Sequence, residues 1–178
     1  MEWGCGNGRD SNLLSAHCKA VLAVDIAKSD HATNFEHSNL KHLFGYDFTD
    51  LRPQKVNVVY SRFSLHSVSK IKATKALLWA KQNLLRGGYL LIEARSIRDP
   101  LYGQGTPVKG EEHAYIASSG ADDKEHYRRF IDLKQLAQEL KDIGFDIKYA
   151  ADDNDLSVYK GDNPYLVRVI AKSSADRN

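Results

Sequence analysis

Cysteine is scarce: the 178-residue sequence holds only two, which excludes a disulfide-stapled scaffold. Cys5 lies inside a glycine-rich turn, and the low cysteine usage fits a reduced, cytoplasmic setting. Long apolar runs are also missing. None approaches the roughly 18 residues of a membrane-crossing helix, and no charged-then-apolar leader opens the chain. A basic excess is lacking too: 25 Lys and Arg against 23 Asp and Glu leave a formal net charge of +2. So even a balance argues against a dedicated nucleic-acid binder. No Cys/His spacing suggests zinc, and no metal site is expected. What is present is the composition of an ordinary globular domain, 42% hydrophobic and 27% charged, long enough to bury a core without staples.

Short β-like runs alternate with helical stretches, the signature of a mostly parallel sheet covered by helices. Ala20-Val-Leu-Ala-Val24, Val56-Asn-Val-Val-Tyr60 and Tyr89-Leu-Leu-Ile92 are apolar on both faces, as strands between two helix layers should be. Tyr165-Leu-Val-Arg-Val-Ile-Ala171 is a β-branched closing strand, and Phe145 to Tyr149 a weaker alternating one. One helix is predicted from Ile71, Leu78 and Leu85, reinforced by Leu77 and Leu84, with Gly87-Gly88 as its stop. A second has Asp132 as N-cap, Gln135 three residues on, a stripe of Leu133, Leu136, Ala137, Leu140 and Ile143, and Gly144 at its end. Residues 97–130 show no clear period and read as an irregular insertion or lid on the acceptor side. One domain over residues 1–172 with a frayed tail at 173–178 is the expectation.

The most informative stretch comes first: Glu2-Trp-Gly4-Cys-Gly6-Asn-Gly8-Arg-Asp10. Glycines at every second position let the backbone turn sharply from strand to helix and leave peptide N–H groups bare to a ligand. Asp25 ends the next strand, where nucleotide folds place a ribose-binding carboxylate. Dinucleotide sites use G-x-G-x-x-G to present a helix N-terminus to pyrophosphate; here an acid precedes the first glycine, and a carboxylate there favours a cation over a phosphate. This pattern resembles motif I of the class I S-adenosylmethionine-dependent methyltransferases. Tyr46-Asp47-Phe48 is similar to the family's adenine-binding element, Ser61-Arg-Phe-Ser-Leu-His66 to its fourth motif, and Leu85-Arg-Gly-Gly-Tyr-Leu-Leu-Ile92 to the turn into its fifth strand.

The resemblance implies a three-layer Rossmann-like α/β sheet of about seven strands, mostly parallel with an antiparallel last strand. It implies S-adenosylmethionine as cofactor, held by Glu2, Gly4, Gly6, Gly8, Asp25, Ile26, Asp47, Phe48 and Ser61. Only Met1, Glu2 and Trp3 precede the first glycine, so a truncated first strand is expected, and Trp3 is placed near the cofactor. For the transfer itself, His66, Glu93 and Arg95 are the candidate catalytic residues, with His66 the base if a hydroxyl is methylated. Arg62, Asp99, Tyr102, His126, Arg128 and Arg129 are candidates to bind the acceptor, a small molecule or a saccharide-derived group, since arginine forks suit carboxylate and phosphate. The blander alternative pairs Arg95 with Glu93 or Asp99 and leaves Arg128 and Arg129 solvated. The strings at 61–66, 93–95 and 126–131 also look similar to surface-polysaccharide-associated methyltransferases. Two rivals stand beside this reading. A non-catalytic relative would keep the fold without the activity, and a nicotinamide-dependent oxidoreductase should show a Tyr-x-x-x-Lys pair that the sequence does not present in a helical context.

Overall fold

The computed structural model describes residues 1–27, 37–118, 125–158 and 161–174. Their strands and helices, in chain order, are β1 (Glu2–Trp3), α1 (Arg9–Ser15), β2 (Val21–Asp25), β3 (Leu40–Phe44), β4 (Val56–Arg62), α2 (Lys70–Asn83), β5 (Leu84–Arg95), β6 (Thr106–Pro107), β7 (Ala114–Ser118), β8 (Glu125–Arg129), α3 (Leu133–Ile143), β9 (Phe145–Asp153) and β10 (Leu166–Ser173). Seven strands form one sheet in the order β3-β2-β1-β4-β5-β10-β9. β1, β2, β3, β4 and β5 run parallel, and β10 lies antiparallel between β5 and β9. The order reverses at β1, which pairs with β2 on one side and β4 on the other. Open α/β sheets bind ligands at such a reversal, beyond the carboxyl ends of the strands.

Strand alternation assigns the layers. Trp3 is fully buried and packs edge-to-face on Trp79 of α2 with ring centroids 5.8 Å apart. Its neighbour Glu2 points the other way and accepts a hydrogen bond from Ser11 of α1. So α2 and α1 lie on opposite faces. The core on the α2 side joins Val59, Leu90, Ile92, Val167, Val169 and Ala171 of the sheet to Leu77 and Ala80 of α2 and Leu136 and Leu140 of α3. Trp3 is thus a core residue rather than a cofactor neighbour. On the other face, Val58, Tyr89 and Tyr149 stay partly exposed.

α2 forms where predicted but presents a different face. Ile71 is 71% and Leu78 44% exposed, while Ala73, Ala76, Leu77 and Ala80 are buried. The small alanines let the helix lie close to the sheet, so the bulkier leucine spacing does not mark the core. The helix ends at Asn83, before the double glycine: the Asn83 side chain donates to Trp79 O at 2.8 Å and accepts from Gln54 N at 2.7 Å. Leu84 and Leu85 therefore open β5 instead of closing the helix. In α3, Asp132 caps Lys134 N and Gln135 N at 2.7 and 3.1 Å, and Gly144 closes with φ +95°. Gln135 does not complete a reciprocal box; its amide turns to Glu112.

The stretch expected to be irregular is a small antiparallel sheet in the order β6-β7-β8. It is anchored by hydrogen bonds from Ile97 N to Ile131 O and from Ile131 N to Arg95 O. Its tight turns at Gly103, Gly105 and Gly110, each with positive φ, hid the short strands between them. β10 runs on to Ser173, into the expected tail, and residues 175–178 lie outside the described residues.

Candidate active site

The glycine loop is built for close approach. Gly4, Gly6 and Gly8 all have positive φ, at 65°, 54° and 82°. A Cβ on Gly4 would sit 2.5 Å from Ser64 Cβ, so only glycine lets the β1 and β4 ends meet there. The loop is tied down by Asp25: one carboxylate oxygen accepts from Gly6 N at 2.7 Å and the other from Ala27 N at 2.8 Å. Each oxygen keeps capacity to accept a further hydrogen bond.

Beside this loop lies a cavity of about 290 Å³, lined by Gly4, Val24, Asp25, Ile26, Tyr46, Asp47, Phe63, Ser64, Leu65, Ser67, Val68 and Lys72. Ile26 is 63% and Tyr46 52% exposed, large apolar surfaces at the mouth that a flat ligand would cover. Asp47 stands farther along, accepting from Thr49 N at 3.0 Å and Thr49 Oγ1 at 2.7 Å and pairing with Lys72 at 3.4 Å. Burial pushes its pKa up, but these hydrogen bonds and the lysine outweigh it and hold it below the usual carboxylate range. Gly4, Asp25, Ile26 and Asp47 therefore line one cavity together. The Phe48 side chain lies outside the described residues.

Four expected cofactor residues are placed otherwise. Glu2 is 3% exposed beneath the loop and bonded to Ser11. Burial, reinforced by Asp10 and Asp25 and opposed by the Ser11 hydrogen bond, raises its pKa to about 7. It supports the loop from below rather than lining the cavity. Gly6 and Gly8 shape the turn and are likewise absent from the wall, Gly8 lying against His42. Ser61 is fully buried and shares a 2.6 Å hydrogen bond with Ser64, which takes the place at the wall.

The candidate catalytic trio forms a scaffold. Glu93, 6% exposed, is clamped between Arg62, at 2.9 Å, and Arg168. Arg62 also binds Asp10 at 3.1 Å and Ser157 at 2.7 Å and stacks over the Phe63 ring at 4.7 Å. Neither Glu93 nor Arg62 is free for substrate. Arg95 pairs with Asp99 and Asp162, each at 2.8 Å. Asp99, 3% exposed, also caps Leu101 N at 2.9 Å. The Arg95–Asp99 pairing is the blander alternative considered for these residues. His66 is buried in the 3-10 turn Leu65–Ser67 and its Nδ1 accepts from Arg95 N at 3.3 Å. Burial, then the charges of Arg95, Arg128 and Arg129, lower its pKa to about 3. With its Nδ1 lone pair already engaged and its basicity lowered, it is poorly suited to the expected role of base.

On the small sheet, Arg129 is buried and donates to Leu65 O at 3.1 Å and Val68 O at 3.3 Å, bracing the turn that carries His66. The expectation of a solvated or substrate-holding Arg129 gives way to this structural role. Tyr102 hydrogen-bonds His113 Nδ1 at 2.8 Å, and His126 is exposed. Arg128 is half-buried, and its side chain makes no hydrogen bond or ion pair among the described residues.

Sequence reasoning placed Tyr46, Phe63 and Ser64 inside cofactor motifs without singling them out, and it passed over Lys72 as a wall residue. Phe63 holds φ +53°, an uncommon conformation for an aromatic residue, fixed by its N–H to Glu93 O at 2.8 Å. No local sequence signal announces that conformation.

A glycine loop after the first strand, an acid ending the second, and a cavity at the reversal of an open parallel sheet define a nucleoside-cofactor enzyme of the Rossmann-like class. Residues 1–150 match the methyltransferase domain family, and the chain belongs to it. Solved structures share the fold. A S-adenosylmethionine-dependent methyltransferase from Methanosarcina mazei superposes with TM-score 0.78 at 18% identity, over 98% of this chain and 92% of that one. A putative S-adenosylmethionine-dependent methyltransferase from Listeria monocytogenes gives 0.72 at 16%, over 98% and 90%. The 1,6-didemethyltoxoflavin-N1-methyltransferase of Burkholderia thailandensis, solved with bound 1,6-didemethyltoxoflavin and S-adenosylhomocysteine, gives 0.68 at 13%, over 98% and 70%. No curated protein matches the sequence. Among the described residues no helix is long and apolar enough to cross a membrane.

Proposed function

We propose that this methyltransferase uses S-adenosylmethionine to methylate a small organic acceptor that enters between the end of β5 and the β6–β8 sheet. The observation that carries the reading is the cavity in which bare Gly4 main chain, Asp25 and Asp47 line one wall. The residues fit the cofactor: the remaining acceptor capacity of Asp25 suits ribose hydroxyls, Ile26 and Tyr46 offer apolar surface to adenine, and Asp47 suits its amino group. When bound, the cofactor supplies a methyl group on a positively charged sulfur.

The chain's own work is alignment and exclusion of water, which in an in-line displacement account for much of the rate. Phe63, Ser64 and Leu65 form the wall between the cofactor cavity and the β5 end. Arg129 and His66 brace that wall, and Asp99 and Asp162 fix Arg95 beside it. Of the groups at the β5 end, His66 already accepts from Arg95 N, and Glu93 and Asp99 are held by arginines. That favours an acceptor atom that already carries its lone pair at neutral pH.

Calorimetry tests the reading. S-adenosylhomocysteine should bind and NADH should not, and Asp25→Ala should weaken binding by about 2 kcal/mol, the scale of hydrogen bonds to a charged group. Preference for NADH, or unchanged affinity in the variant, would overturn it.

A further inference from the structure

We infer that the acceptor is a small monocarboxylate with an aromatic or apolar body, gripped by the Arg128 guanidinium. This deepens the methyltransferase reading and rests on it for the reaction, though the anion grip can be measured without it. Around the β5 end, four arginines are committed to protein partners: Arg62 to Glu93 and Asp10, Arg95 to Asp99 and Asp162, Arg129 to Leu65 O and Val68 O, and Arg168 to Glu93 and Leu156 O. Arg128 alone of this group has no such bond among the described residues, yet it is half-buried. Burial first, and then the neighbouring Arg95, lower its pKa, while Asp99 and Asp162 oppose them. A guanidinium partly withdrawn from water without a fixed partner gains most from an incoming planar anion.

Position and charge narrow the class. Arg128 lies within electrostatic reach of His66 and Arg95, and His66 sits in the turn whose Leu65 and Ser67 line the cofactor cavity. Asp99 and Asp162 temper the charge of Arg95 and Arg128, and both acids are already held by Arg95. One uncommitted guanidinium matches a monoanion, whereas the second charge of a dianionic phosphate would have no free cation beside these two carboxylates. In the β7–β8 ladder Tyr115 stands directly opposite Arg128, so their side chains share a face. Tyr115 packs on Tyr102 with centroids 5.6 Å apart, and Tyr102 is 37% exposed. Guanidinium and aromatic surface lie side by side, as an aromatic carboxylate requires.

Benzoate is the probe, with benzamide, benzylamine and inorganic phosphate as comparators, each titrated into the full chain while the Arg128 Nε–Hε resonance is followed by NMR. Benzoate should give a saturable shift that benzamide and benzylamine do not. Arg128→Gln should weaken benzoate binding about tenfold or more, with Arg128→Lys intermediate because it keeps charge but loses the fork. S-adenosylhomocysteine should bind wild type and R128Q alike by calorimetry, showing an intact fold. Absence of a saturable benzoate shift, equal binding of benzamide, tighter binding of phosphate or benzylamine, or unchanged benzoate affinity in R128Q overturns the inference. Failure of the wild type to bind S-adenosylhomocysteine would instead overturn the methyltransferase reading, leaving the benzoate result to stand or fall by itself.

Discussion

Replacing Glu2 with glutamine should alter the pH dependence of stability in a defined direction. Glu2 is 3% exposed, and its pKa rises from the usual 4.5 to about 7, chiefly through burial. The unfolded chain releases this proton near pH 4.5 and the native protein near pH 7. Between those values the native state holds a proton that the unfolded state lacks, so each rise in pH favours unfolding. The full contribution is present below pH 4.5 and is lost as pH climbs through 7. A shift of this size corresponds to about 3 kcal/mol overall, of which about 2.5 kcal/mol falls between pH 5 and pH 8. Urea unfolding of wild type and Glu2→Gln across pH 5 to 9 isolates the residue, because other titrating groups cancel in the difference. Glutamine can still bond Ser11 but carries no charge, so the variant should gain on the wild type by that amount as pH rises. A difference that stays flat across the range would refute the placement of a buried, proton-holding carboxyl beneath the loop.

His66 should show the opposite trend: its pKa is lowered to about 3, so stability is whole above pH 6.5 and falls as acid is added. The loss should be on the order of 3 kcal/mol by pH 4, and His66→Gln should flatten it in acid unfolding curves. Gly4→Ala should destabilise by about 2 kcal/mol or more, since it adds a contact with Ser64 Cβ to the strain of positive φ. Gly6→Ala, with open space at its Cβ position, should cost only the backbone part, about 1 kcal/mol; equal losses in thermal unfolding would refute the Gly4–Ser64 contact. Glu93→Gln should cost about 2 kcal/mol or more by leaving Arg62 and Arg168 without their shared anion. A stability unchanged within about 0.5 kcal/mol would mean the clamp is loose.

The parts of this fold that local chemistry specifies were readable in the sequence. Glycines at alternate positions, an acid after an apolar run, an Asp cap and a closing glycine each act within a few residues. They placed β1, Asp25 and α3 correctly. What depends on tertiary choice was not readable. The buried face of α2 is set by alanines that allow close approach to the sheet, against the apparent weight of Ile71, Leu78 and Leu85. The strands of the β6–β8 sheet are too short and too interrupted by glycine to show a period. At the site, residue type suggested that Glu93, Arg95 and His66 do chemistry. Whether a charge is free or bound depends on partners as distant in sequence as Arg168 and Asp162, which spacing along the chain does not reveal.

Residues 61–67 explain why cofactor and acceptor should be coupled. Ser61 and Ser64 hydrogen-bond each other, and Ser64 rests against Gly4 of the loop. Phe63, between them, is held at positive φ by Glu93 O, covered by Arg62, and meets His66 edge-on at 5.5 Å. His66 in turn accepts from Arg95 N, and Arg129 holds Leu65 O and Val68 O. A single short segment thus lines the cavity beside the glycine loop on one side and takes its support from Arg95 and Arg129 on the other. Packed interiors transmit displacement rather than absorb it. An anion drawn to Arg128 therefore acts on Arg95 and, through His66, on the Ser64–Gly4 contact. Acceptor and S-adenosylhomocysteine should then alter each other's affinity by the same factor, as linkage requires, whereas strictly independent binding in paired calorimetric titrations would mean that segment 61–67 is inert as a joint.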